Sequence, residues 1–239
     1  MAAVSSWAGQ SVAYLRQAGR ALLRFYALKM TPADLVGSAT ARQPVPMVAE
    51  ISLLTAVPSL ELWELWQRTE RDEPPFWAYP WAGGQALARY ILDHPGVVAG
   101  RRVLDVASGS GLVAIAAAQA GAASVIAGDV DPHAVAAIAI NAAANGVAVD
   151  ARGFDLAADG PGDAEVVLAG DVFYQRELAE LALRFLRAAA GAGADVLVAD
   201  PGRAFVPAAC LTALARYQVP VLTVIEDAPV KTVTVYRLA

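Results

Sequence analysis

From Arg101 onward, short apolar runs alternate with longer apolar segments of helical spacing. Val103 to Val106, Ser124 to Asp129, Val147 to Phe154, Glu165 to Gly170 and Asp195 to Ala199 are each about the length of a buried strand. Between them lie segments with helical patterning. Leu112 to Ala120 is alanine-rich, and the next runs through Ala134, Ile138 and Ile140 to a stop at Asn145-Gly146. Glu177 to Ala190 puts Leu178, Leu181, Phe185 and Leu186 along one side. Val206 to Arg216 is expected to be a helix, and Val219 to Ile225 and Lys231 to Leu238 have strand character. This alternation, ending in a pair of strands, predicts an α/β chain with a doubly wound sheet and an antiparallel finish.

Upstream the pattern is weaker. Thr31-Pro32 predicts a helix start, with Thr31 as the cap and Pro32 in the first turn. Ala39 to Met47, with Pro44 and Pro46, is expected to be a linker, and Glu50 to Leu54 a short strand. Ser59 to Arg71 is expected to be helical. Pro74, Pro75 and Pro80 prevent a helix up to Trp81, and a helix then follows Gly83-Gly84 to about Asp93. The expected division is an N-terminal helical extension and linker over 1–73 and the main domain over 74–239.

Composition narrows the functional classes. Hydrophobic residues make up 57% of the 239 and mean hydropathy is +0.45, but much of this is alanine. No apolar run approaches the roughly 18–20 residues that span a bilayer, so no membrane span is expected. A net charge of −5 argues against nucleic acid as a partner. The single cysteine, Cys210, suits a reducing compartment. His94 and His133 lack partners at metal-ligand spacing, so no metal site is expected. Residues 1–33 contain no acid and carry Arg16, Arg20, Arg24 and Lys29. An exposed N-terminal helix on a cytoplasmic protein is the expectation. A mitochondrial presequence, and hence the matrix, is the alternative.

The chemistry centres on Val103-Leu104-Asp105-Val106-Ala107-Ser108-Gly109-Ser110-Gly111. A strand, a small-residue turn and a helix start present unpaired N–H groups and a positive dipole end to a ligand. Gly109 and Gly111 allow close approach and positive φ. The stretch also satisfies the loose dinucleotide pattern, but Asp105 would repel a pyrophosphate. A carboxylate there suits a cationic ligand such as S-adenosyl-L-methionine, which carries an ammonium and a sulfonium and no phosphate. Asp129 ends the second strand about 20 residues later, where a carboxylate can accept both ribose hydroxyls. Asp131-Pro132 then predicts a helix cap. Phe76, Trp77, Tyr79 and Trp81 are candidates for an aromatic wall facing an adenine or a substrate cation.

Five separated segments together carry a resemblance: Trp77-Ala78-x-x-Trp81-x-Gly83-Gly84-Gln85-Ala86-Leu87, the glycine turn, Asp129-x-Asp131-Pro132, Gly170-Asp171-Val172-Phe173-Tyr174 and Asp200-Pro201-Gly202-Arg203. Over about residues 45–238 the chain resembles class I methyltransferases of family 16, the group of the electron transfer flavoprotein β-subunit lysine methyltransferases. Ala107 stands where the motif usually has its first glycine. The resemblance implies a Rossmann-like, seven-stranded sheet with an antiparallel last strand. It also implies S-adenosyl-L-methionine as cofactor, with S-adenosyl-L-homocysteine as product, and a lysine of the flavoprotein β subunit as acceptor. Trp81 would pack on the adenine side, and Asp155 would reach the adenine amino group. Gly83, Asp105, Ala107, Ser108, Gly109, Gly111, Asp129, Val130 and Gly170 complete the implied cofactor set. Asp171 would bind and align the amine, with Tyr174 and Phe173 lining the methyl channel. Gln175 departs from the acid that related members often carry there. A small aromatic amine such as nicotinamide, and a nonenzymatic cofactor-binding role, are the alternatives.

Overall fold

A computed structural model describes residues 31–56, 74–221 and 228–239. The basic segment 1–30, the expected helix at Ser59 to Arg71 and the end of the expected strand at Val219 to Ile225 lie outside the described residues.

The chain begins with α1 (Pro32–Ala39), capped as the sequence predicts. Thr31 and Asp34 each accept the other's backbone N–H, a reciprocal capping box. A two-stranded hairpin follows, β1 (Thr40–Val45) and β2 (Val48–Ala56). This corrects the linker reading of Ala39 to Met47. Among the described residues β1 pairs with β2 alone, and an edge strand tolerates Pro44, which has no N–H to donate.

After a 3₁₀ turn at Phe76–Ala78 come α2 (Ala82–Asp93), β3 (Arg102–Val106), α3 (Leu112–Gln119), β4 (Ser124–Asp129) and α4 (Pro132–Ala144). Then follow β5 (Asp150–Gly153), β6 (Val166–Gly170), α5 (Arg176–Gly191), β7 (Asp195–Asp200), β8 (Leu211–Pro220) and β9 (Val230–Leu238). The seven strands run in the order β5-β4-β3-β6-β7-β9-β8. The first five are parallel, and β9 is antiparallel to both β7 and β8. This is the expected doubly wound sheet with its antiparallel finish.

Strand alternation explains how the sheet is covered. Val103, Val166 and Leu168 face one cluster with Ala86, Leu87 and Ile91 of α2, Val113 and Ala117 of α3, and Ile138 of α4. Their neighbours Leu104, Val106, Val167 and Ala169 face the other, with Ala182, Phe185, Leu186 and Ala189 of α5. Among the described residues no helix is long and apolar enough to cross a membrane.

The helix expected at Val206 to Arg216 is replaced by a 3₁₀ turn at Ala208–Cys210 and by β8. Leu211 to Pro220 pairs with β9 from end to end, interrupted by a bulge at Leu214. Alanine, leucine and arginine give this segment helical propensity, but the open edge of β9 outweighs it.

The hairpin is fastened to the main sheet's layer through α4. Fully buried Asn141 donates to the Ser110 carbonyl (2.8 Å) and accepts from the Leu54 N–H (2.8 Å). Asn145 exchanges two hydrogen bonds with the Ser52 backbone.

The chain runs outward through β3, β4 and β5 and returns at β6 beside β3. Ligands bind at such a reversal, beyond the carboxyl ends of the strands.

Candidate active site

A cleft of about 710 Å³ opens there, a size suited to a small molecule. Its glycine-loop end is built by the turns after β3 and β4. Asp105, 1% exposed, follows Val103 in the alternation and so points toward α3. Its Oδ2 accepts from the Ser108 hydroxyl (2.5 Å) and the Ala114 N–H (3.1 Å). Burial nonetheless pushes its carboxyl up to about 7, because these two donors only partly replace water. Asp129 Oδ2 accepts from the Gly109 N–H (2.9 Å) and Oδ1 from the Asp131 N–H (3.0 Å). Burial raises that carboxyl as well. Asp131 caps α4, accepting from the His133 N–H.

The other end is assembled from three distant segments. Asp171 follows β6, and its Oδ2 accepts from the Gly84 N–H in the first turn of α2 (2.9 Å). Its Oδ1 accepts from Arg203 Nη2 (3.2 Å). Burial pushes this carboxyl up to about 6, against the pull of the Arg203 charge and the Gly84 N–H. Asp171 does not cap α5. The N-cap is Gln175, without a side-chain cap bond. Tyr174 and Phe76 lie ring to ring at 5.3 Å, Phe76 and Trp81 at 5.7 Å. Phe76, Trp77, Tyr79 and Trp81 all line the cleft.

Two backbone positions stand out. Ala107 (φ 50°) and Asp171 (φ 57°) are the non-glycine residues with left-handed backbone among those described, and both line the cleft. Such conformations cost energy for residues with a Cβ, and they gather where a site dictates the geometry. Ala107 thus occupies a position whose φ explains why related motifs have glycine there.

Of the residues expected from sequence, Trp81, Asp105, Ala107, Ser108, Gly109, Asp129, Val130, Gly170, Asp171 and Tyr174 line the cleft. Four do not. Gly83 lies behind Asp171, where a Cβ would come within 2.5 Å of both the Ala199 carbonyl and Asp171 Oδ2. It provides clearance rather than contact. Gly111 likewise clears Ile138 of α4, whose Cα would stand 3.2 Å from an added Cβ. Phe173 is buried in the cluster under α5, since the turn at Asp171 sends this apolar ring into the core. Asp155 is exposed in the loop after β5 and accepts from the Ala157 N–H. Trp81, expected beside the adenine, has Phe76, Tyr79 and the Arg203 guanidinium as ring neighbours. The cleft also includes Arg203, Ser110 and Leu178, to which the sequence reading gave no role. For Arg203 a signal existed: it lies just beyond a parallel strand's carboxyl end, inside a motif already singled out.

The cleft is therefore chemically two-ended. Asp105, Asp129 and Asp131 line the cleft at the turns after β3 and β4, and Arg203, paired with Asp171, is the cation among the described residues of the lining. A pyrophosphate at the glycine loop would meet carboxylates, whereas a cationic group or a diol would be accepted.

A family model described as ribosomal protein L11 methyltransferase matches residues 85–184. The chain is 40% identical over 165 residues to a Xenopus laevis protein named electron transfer flavoprotein beta subunit lysine methyltransferase, covering 66% of this chain and 65% of that one. The human protein of the same name is 37% identical over 165 residues, covering 66% and 61%. The matches thus span less than two thirds of these relatives' length. Among solved structures, a Pyrococcus horikoshii protein labelled a candidate RNA methyltransferase aligns with a TM-score of 0.52 and 18% identity, covering 70% of this chain and 90% of that chain. That likeness bears on the fold alone, which is the Rossmann-like methyltransferase fold.

Proposed function

We propose that the protein is an S-adenosyl-L-methionine-dependent protein-lysine methyltransferase, acting on the β subunit of electron transfer flavoprotein. The observation that carries this reading is the two-ended cleft. Carboxylates stand at the glycine loop, and a fourth carboxylate, Asp171, lines the same cleft as Phe76, Trp81 and Tyr174. The names of the relatives support the substrate.

The residues present suit the cofactor. Asp129 retains lone pairs for two ribose hydroxyls after accepting its backbone donors. Asp105 sits beneath the turn that a cationic amino-acid moiety would approach. When bound, S-adenosyl-L-methionine supplies an electrophilic methyl group on a cationic sulfur.

The chain's own residues manage the amine. A lysine ammonium has a reference pKa of about 10.4 and lacks the lone pair needed for attack. Asp171 draws it into the cleft and orients it. Phe76, Tyr174 and Trp81 strip water from it, which favours the neutral amine, and offer cation–π contact before the proton leaves to water. The product S-adenosyl-L-homocysteine has lost the sulfonium charge and so loses part of its attraction to the acidic end.

Labelled S-adenosyl-L-methionine, offered with purified electron transfer flavoprotein and nicotinamide in parallel, tests this reading. Label on a β-subunit lysine is expected. Label on nicotinamide alone overturns the substrate, and cofactor binding without transfer to either overturns the enzymatic reading.

A further inference from the structure

We propose that Arg203 is a positioning residue for the reaction: its guanidinium holds the Asp171 carboxylate against the first turn of α2 and, with Trp81, walls the amine end of the cleft. The word amine rests on the function proposed above; the contact and its test do not.

Arg203 is aimed by its own turn. Asp200, buried at the end of β7, accepts from both the Gly202 and Arg203 N–H groups through Oδ1, each at 2.7 Å. Gly202 takes φ +88°, which this reversal requires. The side chain then folds back over the cleft. Nη2 reaches Asp171 Oδ1 at 3.2 Å, and Cζ lies 6.0 Å from the centre of the Trp81 ring.

Asp171 depends on such a partner. Its N–H is tied to the Ala199 carbonyl of β7 (3.0 Å), and its backbone is held left-handed. Gly83 leaves space for the carboxylate directly against α2. One oxygen then meets the Gly84 N–H and the other meets Arg203. Without the guanidinium, a largely buried carboxylate would keep a single donor from these elements and would favour its protonated form. The groups facing it are few. Arg203 and Asp200 come from the end of β7, with opposite effects on its charge. The first turn of α2 contributes backbone N–H and no titratable side chain, and Tyr174 follows in its own loop. Asp105 and Asp129 line the same cleft from β3 and the end of β4.

Both side chains of the pair are largely buried, so removing the guanidinium also costs folding stability, and stability alone would not separate this role from a structural one. The direct readout is the titration of the Asp171 carboxyl carbon in aspartate-labelled protein, assigned by its loss in Asp171→Asn. The wild-type midpoint is expected at about 6. Arg203→Leu should raise it by about one pH unit or more, and Arg203→Lys, which keeps the charge, should stay near wild type. Arg203→Gln serves the same purpose if the leucine variant does not fold. An unchanged midpoint in a folded Arg203→Leu or Arg203→Gln protein overturns the proposal. With the flavoprotein as substrate, the acid limb of kcat/KM should move with the carboxyl midpoint. A shifted midpoint in a protein that methylates no lysine would leave this inference standing and remove only the proposed function.

Discussion

The two ends of the cleft use carboxylates in different ways. At the glycine-loop end, Asp105 and Asp129 are held by a hydroxyl and by backbone N–H groups, all from residues 105–131. At the far end, Asp171 is held by a backbone N–H from residue 84 and a guanidinium from residue 203. The first end is a property of contiguous chain; the second exists only once α2, β6 and β7 have met. A ligand common to many enzymes can be bound by the first kind of device. On the proposed function, the group that distinguishes one substrate from another faces the second.

Separating the two ends by mutation gives the largest expected effect. Asp171→Ala should lower turnover about 100-fold while leaving S-adenosyl-L-methionine affinity nearly unchanged, because it removes alignment of the amine. Asp129→Ala should do the reverse, weakening cofactor affinity about 10- to 100-fold by calorimetry, since charged hydrogen bonds are lost and two N–H groups are stranded. If both variants lose affinity equally, the two ends are not independent.

Gly83→Ala sharpens the comparison. A methyl group within 2.5 Å of Asp171 Oδ2 must displace the carboxylate or the helix. A loss of about 1–3 kcal/mol in urea unfolding is expected, together with reduced turnover. The corresponding Gly109→Ala change meets no atom closer than 4.0 Å, so its effect should come from backbone strain at φ 55°.

A smaller effect is expected from pH. The Asp105 carboxyl titrates near 7 when folded and near 3.8 in its ordinary state. Its contribution to stability is complete below about 3.8 and is lost as pH rises through about 7. Asp105→Asn removes that loss. Its Tm relative to wild type should therefore rise between pH 5 and pH 8, and a constant difference would count against the buried charge. Smallest of all, Ala107→Gly relieves the left-handed backbone at φ 50° but adds freedom to the unfolded chain. The net change in stability should stay within about 1 kcal/mol.

The same contrast explains what could be read from the sequence. The sequence of parallel strands and their helices along the chain follows from apolar periodicity, and the buried faces of β3 and β6 reproduce it, while the third expected strand shrinks to the mostly exposed Asp150–Gly153. The glycine-loop end was legible because Asp105, Gly109 and Asp129 act through their own neighbours. Asp171 was legible through resemblance. Arg203 was legible only as a motif member; its pairing with Asp171 was not, because it depends on a turn at Gly202 and on the adjacency of β6 and β7. β8 was hidden for a similar reason: its helical composition yields to a partner strand that begins ten residues after β8 ends. Phe173 and Gly83 were found as motif members, but a motif does not distinguish a residue that touches a ligand from one that shapes its surroundings.

Asn141 carries one more consequence. Its single amide joins the Leu54 backbone of the hairpin to the Ser110 carbonyl of the glycine loop. Peeling the hairpin away would strand that buried amide, and opening the loop would do the same from the other side. The hairpin and the loop therefore belong to one cooperative unfolding unit. Amide hydrogens in β2 should exchange with solvent in step with those of α3's first turn, and a ligand that stiffens the loop should slow exchange in a hairpin it never touches.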